Sequence, residues 1–261
     1  MGDTPWQGDA CSLVDEFRSG RRSPTEELQA VYDAVDRSPL NAICHTDRDA
    51  ALNAARAADV NLPFGGVPMA VKELESVSGW PDTHASFPLR DRIASSSSPQ
   101  VERLRQRGGA VLAGQSTASE FGGVNLTRTV LHGATLNPWN EAHTPGGSSG
   151  GAAASVAGGL FTLGTASDCG GSIRIPAGFC GLVGLKAPFG RIPLGPNSQY
   201  GNLTVVTGCV SRSVRDTARW FDVCNGHDPR DPLSLQRVDG WEAGLGTLAA
   251  DRKSTRLNSS H

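Results

Sequence analysis

Polar caps and apolar spacings mark out helices along the early part of the chain. Ser23-Pro24-Thr25-Glu26 supplies a cap, a proline at the first helical position and a glutamate three residues after the cap. Leu28, Val31, Tyr32 and Val35 then recur at helical spacing, which predicts a helix with one apolar face. Ser12-Leu-Val-Asp15 has capping-box spacing as well, and Gly20 can close the helix it would open. A third helix is expected to open between Thr46 and Asp49 and to run through Leu52 and Ala55. Ser98-Pro99 starts another, bearing Val101 and Leu104 and stopped by Gly108-Gly109.

Short apolar runs fall between and after these helices. GGVPMAVKEL (65–74) reads as a buried strand with Lys72 at its end, and AVLAG (110–114) as a second strand. A small-residue helix is expected at about 150–158, followed by strands over LFTLGTA (160–166) and GLVGLKA (181–187). Helices alternating with short apolar strands predict a layered α/β domain. No internal repeat and no domain boundary stands out.

Composition narrows the function classes. The chain has 261 residues, 38% hydrophobic and 19% charged, with a net charge of −2, which suits one well-cored globular domain. That balance gives no reason to expect nucleic acid or an anionic membrane as partner. The uncharged run Thr144–Ser167 is long enough to cross a bilayer but is built of Gly, Ala and Ser, so no membrane span is expected. The start, MGDTPWQGDA, has no basic-then-apolar pattern of a signal peptide. Six cysteines without a CxxC pair read as free thiols in a reducing, cytoplasmic compartment. Six histidines without HExxH spacing predict no metal site, and no cofactor is expected.

Three places carry candidate chemistry: Lys72 at its strand end, Ser148 in PGGSSGG, and Ser172 in DCGGSIRIP. Taken singly, a serine in a glycine-rich loop is a turn residue, and a strand-end lysine points to solvent. The two glycines before Ser172 equally fit a tight turn or a nest of backbone donors beside a nucleophile.

Together, these segments resemble the amidase signature hydrolases. The match runs almost throughout TPGGSSGGAAASVAGGLFTLGTASDCGGSIRIPAGFCGLVGLKAPFGRIP (144–193), with GGVPMAVKE, RLRQRGGAVLAGQSTASEFG and TLNPWN before it in the family's order. It covers roughly residues 12–235. The resemblance implies an α/β, layered amidase-signature fold, its central mixed β-sheet covered by helices on both faces. It implies a Ser-Ser-Lys triad in which Ser172 is the nucleophile, Ser148 the bridging serine and Lys72 the base, with a cis peptide between Gly147 and Ser148. A serine needs a base to take its proton, and a lysine can be that base only when neutral, which burial promotes. The backbone N–H groups of Cys169, Gly170, Gly171 and Ser172 would then stabilise the oxyanion. Asp168 and Arg174 are expected to brace the loop. The implied activity is hydrolysis of a carboxylic amide C–N bond through a serine acyl-enzyme. A small-molecule amide is the expected partner, and a homodimer is left open.

Two other readings are weighed. The glutamine-hydrolysing amidotransferase subunit of this family would carry glutamine after the signature arginine, where this chain has Ile175. LKAP (185–188) likewise departs from the family's usual proline-threonine after the lysine, a local difference. Gly146-Gly-Ser148-Ser-Gly150 also fits the elbow of Ser-His-Asp α/β-hydrolases, with His227 as a candidate base, but that elbow must follow a strand. Cys169 and Cys180 lack an obvious histidine partner for nucleophilic work.

The last residues, DRKSTRLNSSH (251–261), read as the translation of a common sequencing-library adapter. The domain is therefore expected to occupy 1–250, with natural sequence breaking off near Ala250. DVCNGHDPRDPLSL (222–235) leads onward in the family, so the isolated chain is expected to lack covering elements and to be poorly folded or inactive.

Overall fold

The structure, a computed structural model, describes residues 4–195 and 203–247, so the adapter-like segment and the break near Ala250 lie outside the described residues. Its elements in chain order are α1 (Ala10–Arg18), α2 (Pro24–Arg37), β1 (Ile43–His45), α3 (Arg48–Arg56), β2 (Pro68–Lys72), α4 (Pro99–Gln106) and β3 (Val111–Ser116). A small hairpin follows, β4 (Arg128–Thr129) and β5 (Gly133–Ala134), then α5 (Gly150–Ala157), β6 (Leu163–Asp168), α6 (Arg174–Cys180), β7 (Val183–Gly184), β8 (Val206–Ser211) and α7 (Val214–Cys224).

Local chemistry accounts for the helix starts. The capping box at Ser23 is fully formed: Ser23 Oγ accepts from the Glu26 N–H, and the Ser23 N–H donates to the Glu26 carboxylate. Ser98 caps α4 with Pro99 at the first position. At α1 the cap is Asp9, one turn ahead of the expected Ser12, because the Asp9 carboxylate accepts from the Ser12 N–H. At α3 the cap is Asp47, whose carboxylate accepts from the Ala50 N–H.

The main sheet has the order β1-β3-β2-β6-β8-β7. β3, β2 and β6 run parallel to their neighbours within that trio, and β1, β8 and β7 pair antiparallel, so the sheet is mixed. β2 lies near its middle and is buried throughout, which is why its sequence is a continuous apolar run rather than an alternating one. Ala70, Ala166 and Val210 pack beneath α2, α3 and α5, while Met69 and Cys209 pack beneath α1 and α7. Helices therefore cover both faces, as expected.

The small residues of α5 let it sit close to the sheet. A Cβ on Gly151 would lie 2.5 Å from the backbone N and O of Thr117, and one on Gly164 would lie 3.3 Å from the Ala152 Cβ. The strand expected at 160–166 starts later, at Leu163, because the Leu160 and Phe161 N–H groups donate back to the Ser155 carbonyl. The strand expected at 181–187 shrinks to Val183–Gly184, since Gly181 and Leu182 close α6. Among the described residues no helix is long and apolar enough to cross a membrane.

Candidate active site

Lys72 ends β2 and Asp168 ends β6, two adjacent parallel strands with Ala70 opposite Gly164. Their C-terminal ends therefore deliver side chains to the same edge of the sheet, the edge where open α/β sheets place their ligands. The loop after β6 carries Ser172, and the loop before α5 carries Ser148. These two loops touch: the Ser149 N–H donates to the Ser172 carbonyl at 3.4 Å. The peptide between Gly147 and Ser148 is cis.

Lys72 is only 1% exposed. Its backbone N–H donates to Thr165 Oγ1 at 2.8 Å. Its Nζ donates to Ser148 Oγ at 2.7 Å and to Ser167 Oγ at 3.0 Å. Burial pulls its pKa down from 10.5 to about 7, against the opposing pull of Glu75, Asp168 and Glu73. Glu75 is itself buried, which raises its pKa, while Thr165, Ser98 and Gln100 hydrogen bonds act in the other direction. Ser172 is 6% exposed, and its hydroxyl has no hydrogen-bond partner among the described residues.

Asp168 holds the Ser172 loop in shape. Its carboxylate accepts from the N–H groups of Gly171 (2.8 Å), Ile173 (3.2 Å) and Arg174 (3.4 Å) and from the Arg174 guanidinium at two 3.0 Å contacts. Lys186 Nζ lies 3.3 Å from the same carboxylate and donates to the Asp168 carbonyl at 2.6 Å. Burial alone would raise the Asp168 pKa, but these bonds hold it far below the ordinary carboxylate range. Asp168 and Arg174 thus brace the loop, as the sequence suggested. Gly171 departs from its expected part, because its N–H is turned onto Asp168 rather than left to face a substrate. Gly171 also has φ +116, and a Cβ there would meet Ile175 Cδ1 at 2.6 Å. Of the other expected backbone donors, Gly170 has no hydrogen bond among the described residues, and Cys169 places its thiol 3.3 Å from Thr204 Oγ1.

The rival constellation does not assemble. Loop, not strand, precedes Ser148, and its hydroxyl faces Lys72. His227 Nδ1 instead pairs with Ser234 Oγ at 3.0 Å, and its carbonyl accepts from Arg103. Cys180 is buried, which pushes its thiol up to about 12. Sequence reasoning missed Thr165 and Ser167, the two hydroxyls that hold Lys72 on the β6 side. Alternation along β6, read from the Lys72-bearing neighbour strand, was the signal that could have found them.

Comparison with known proteins places the family. The family model described as Amidase matches residues 25–254. The chain is 38% identical over 238 residues to a glutamyl-tRNA(Gln) amidotransferase subunit of Methanococcoides burtonii, covering 90% of this chain and 50% of that protein. It is 38% identical to an acylamidase of Rhodococcus erythropolis, covering 88% of this chain and 50% of that one. Among solved structures, a bacterial aryl acylamidase of the amidase signature enzymes superposes with a TM-score of 0.83 at 31% identity, covering 91% of this chain and 51% of that one. The chain spans about half the length of the curated relatives it matches.

Proposed function

This chain belongs to the amidase family, and on that premise we propose that its whole protein hydrolyses a carboxylic amide C–N bond through an acyl-enzyme on Ser172. The observation that carries the reading is the 2.7 Å contact between Lys72 Nζ and Ser148 Oγ in a buried site beside the Ser172 loop. Neutral Lys72 takes the Ser148 hydroxyl proton as Ser148 takes that of Ser172, and the Ser172 oxygen bonds to the amide carbon. The collapsing tetrahedral adduct expels the amine, which receives the proton back through Ser148. Water then cleaves the ester by the same relay, leaving acid, amine and free Ser172. Backbone donors at Cys169, Gly170 and Ser172 stabilise the oxyanion; the Gly171 N–H keeps its bond to Asp168.

A small amide is the proposed substrate, and residues 1–250 the proposed domain. The names of several relatives favour a second reading, an amidotransferase component that draws ammonia from glutamine within a larger assembly. Ile175 beside Arg174 weighs against it. No disulfide joins any of the six cysteines among the described residues, which suits the cytoplasm as the proposed location. The test is a panel of aryl, alkyl and amino-acid amides offered to a version extended to its relatives' length. Amine release that vanishes in Ser172→Ala supports the proposal, and release unchanged in that variant contradicts it. Release of ammonia from glutamine alone selects the second reading.

A further inference from the structure

β1 contains a bulge. Ile43 pairs with Ser116 and His45 with Gln115, so Cys44 is an extra residue between them with no register partner in β3, and its thiol donates to the Gln115 carbonyl at 3.5 Å. A bulge re-aims a side chain, and here the Cys44 thiol comes up against the Glu73 carboxylate, just past the end of β2. The turn of the β4–β5 hairpin brings His132 to the same place, with Nε2 2.8 Å from Glu73 Oε2. The thiol sulfur, the carboxylate oxygen and the imidazole nitrogen all lie within 4.8 Å of one another.

We propose that Cys44, Glu73 and His132 form a binding site for one zinc-type divalent cation. Thiolate, imidazole and carboxylate are zinc's own donor set, whereas calcium and magnesium call for oxygen alone. Bonds of about 2.0–2.3 Å place tetrahedral ligand atoms roughly 3.5 Å apart, inside the 4.8 Å within which these three atoms already lie. Three protein ligands leave the fourth position to water. Binding releases the Cys44 thiol proton to solvent and moves the imidazole proton of His132 to Nδ1, freeing the Nε2 lone pair for the metal.

The surroundings hold these ligands in place. The Ala118 N–H donates to Glu73 Oε1 at 2.6 Å, leaving Oε2 to face His132 and Thr83, whose hydroxyl donates to it at 3.2 Å. The His132 backbone N–H donates to Thr129 Oγ1 at 3.0 Å, and its backbone carbonyl accepts from Asn41 Nδ2 at 2.7 Å. These backbone bonds fix the hairpin turn that carries the imidazole. The His132 side chain is 20% exposed and Glu73 1%, which gives an entry path on one side and a closed floor on the other. Glu73 follows Lys72, yet the two point to different partners: Lys72 to Ser148 and Ser167, Glu73 to Ala118 and His132. The cation site is thus separate from the serine hydroxyls. Ligand spacing along the chain hid it, because its members sit on three elements and form no local motif.

The test is metal binding by a chelator-stripped version extended to its relatives' length. Titration with Zn²⁺ should show one equivalent bound per chain, and Co²⁺ should give a thiolate-to-cobalt charge-transfer band. Cys44→Ser should remove that band and weaken zinc affinity at least about tenfold, and His132→Gln should weaken it by a similar factor. Cys169→Ser should change neither. Zinc should also protect Cys44 from alkylation in the unmutated chain, a reading that needs no variant. Absence of stoichiometric zinc, a charge-transfer band that survives Cys44→Ser, or a band lost only in Cys11→Ser, which would move the ion to the Asp9–Cys11–Asp216 group, overturns the proposal.

Discussion

Lys72 Nζ donates to Ser148 Oγ across 2.7 Å at a position 1% exposed to solvent. A protonated ammonium there faces hydroxyls on Ser148 and Ser167, with no carboxylate in hydrogen-bond contact among the described residues. Burial of that kind favours the neutral amine.

Replacing Lys72 tests its role as base. Lys72→Ala should slow acylation of the site by an activated acyl donor by about 10²–10⁴-fold, the usual worth of a positioned proton acceptor. Lys72→Arg should not restore the rate, since a guanidinium stays charged and cannot accept a proton. Recovery with arginine would mean that position 72 supplies charge rather than a base.

Asp168 should matter for the loop rather than for proton transfer. Asp168→Ala removes the partner of three backbone N–H groups and the Arg174 guanidinium, and should cost about 2–3 kcal/mol in unfolding free energy. Its pKa is depressed on folding, so its contribution is present above the unfolded value of about 3.9 and is lost as pH falls from there through the folded value. Denaturant unfolding across acid pH should show a shallower loss of stability in the variant than in the parent.

Asp216 should act with the opposite sign. It accepts from the Ala10 and Cys11 N–H groups at the start of α1, and burial, with help from Asp9, raises its pKa from 3.8 to about 6. A raised carboxyl stabilises the fold below its unfolded value and loses that contribution as pH rises through the folded one. Asp216→Asn should therefore flatten the fall in Tm between about pH 4 and 6 that this group causes in the parent. An unchanged slope would show that Asp216 titrates normally.

Gly151→Ala should destabilise by about 1–3 kcal/mol, because the new methyl would lie 2.5 Å from the Thr117 backbone. A normal Tm in that variant would mean that α5 can lift from β3 without cost.

The sequence revealed most of what is local. Ser23, Ser98 and the glycines around Gly108 announced their helices because capping bonds span only a few residues. The buried strand ending in Lys72 was legible from its unbroken apolar run. Elements fixed by distant partners were not. β1 is a bulged edge strand whose Ile43 is only half-buried, and α6 lacks a side-chain cap and carries Pro176. α7 carries a local signal too, Ser213 spaced three residues before Asp216, whose N–H donates to the Ser213 hydroxyl. Lys72, Ser148 and Ser172 became candidates through resemblance. Thr165 and Ser167 emerge only when β6 is laid beside β2, since hydrogen bonds across that pairing leave no trace in local spacing; the Gly171 N–H bond to Asp168 is local, but its direction depends on the backbone angles of the loop.

The central claim, that Ser172 carries the acyl group while Ser148 relays its proton, is tested most directly by locating the covalent adduct of a fluorophosphonate probe on a version extended to its relatives' length. Peptide mapping by mass spectrometry should place the phosphonyl group on Ser172, with labelling retained at a reduced rate in Ser148→Ala and absent in Ser172→Ala. A phosphonyl group on Ser148 in the unmutated protein would contradict the account.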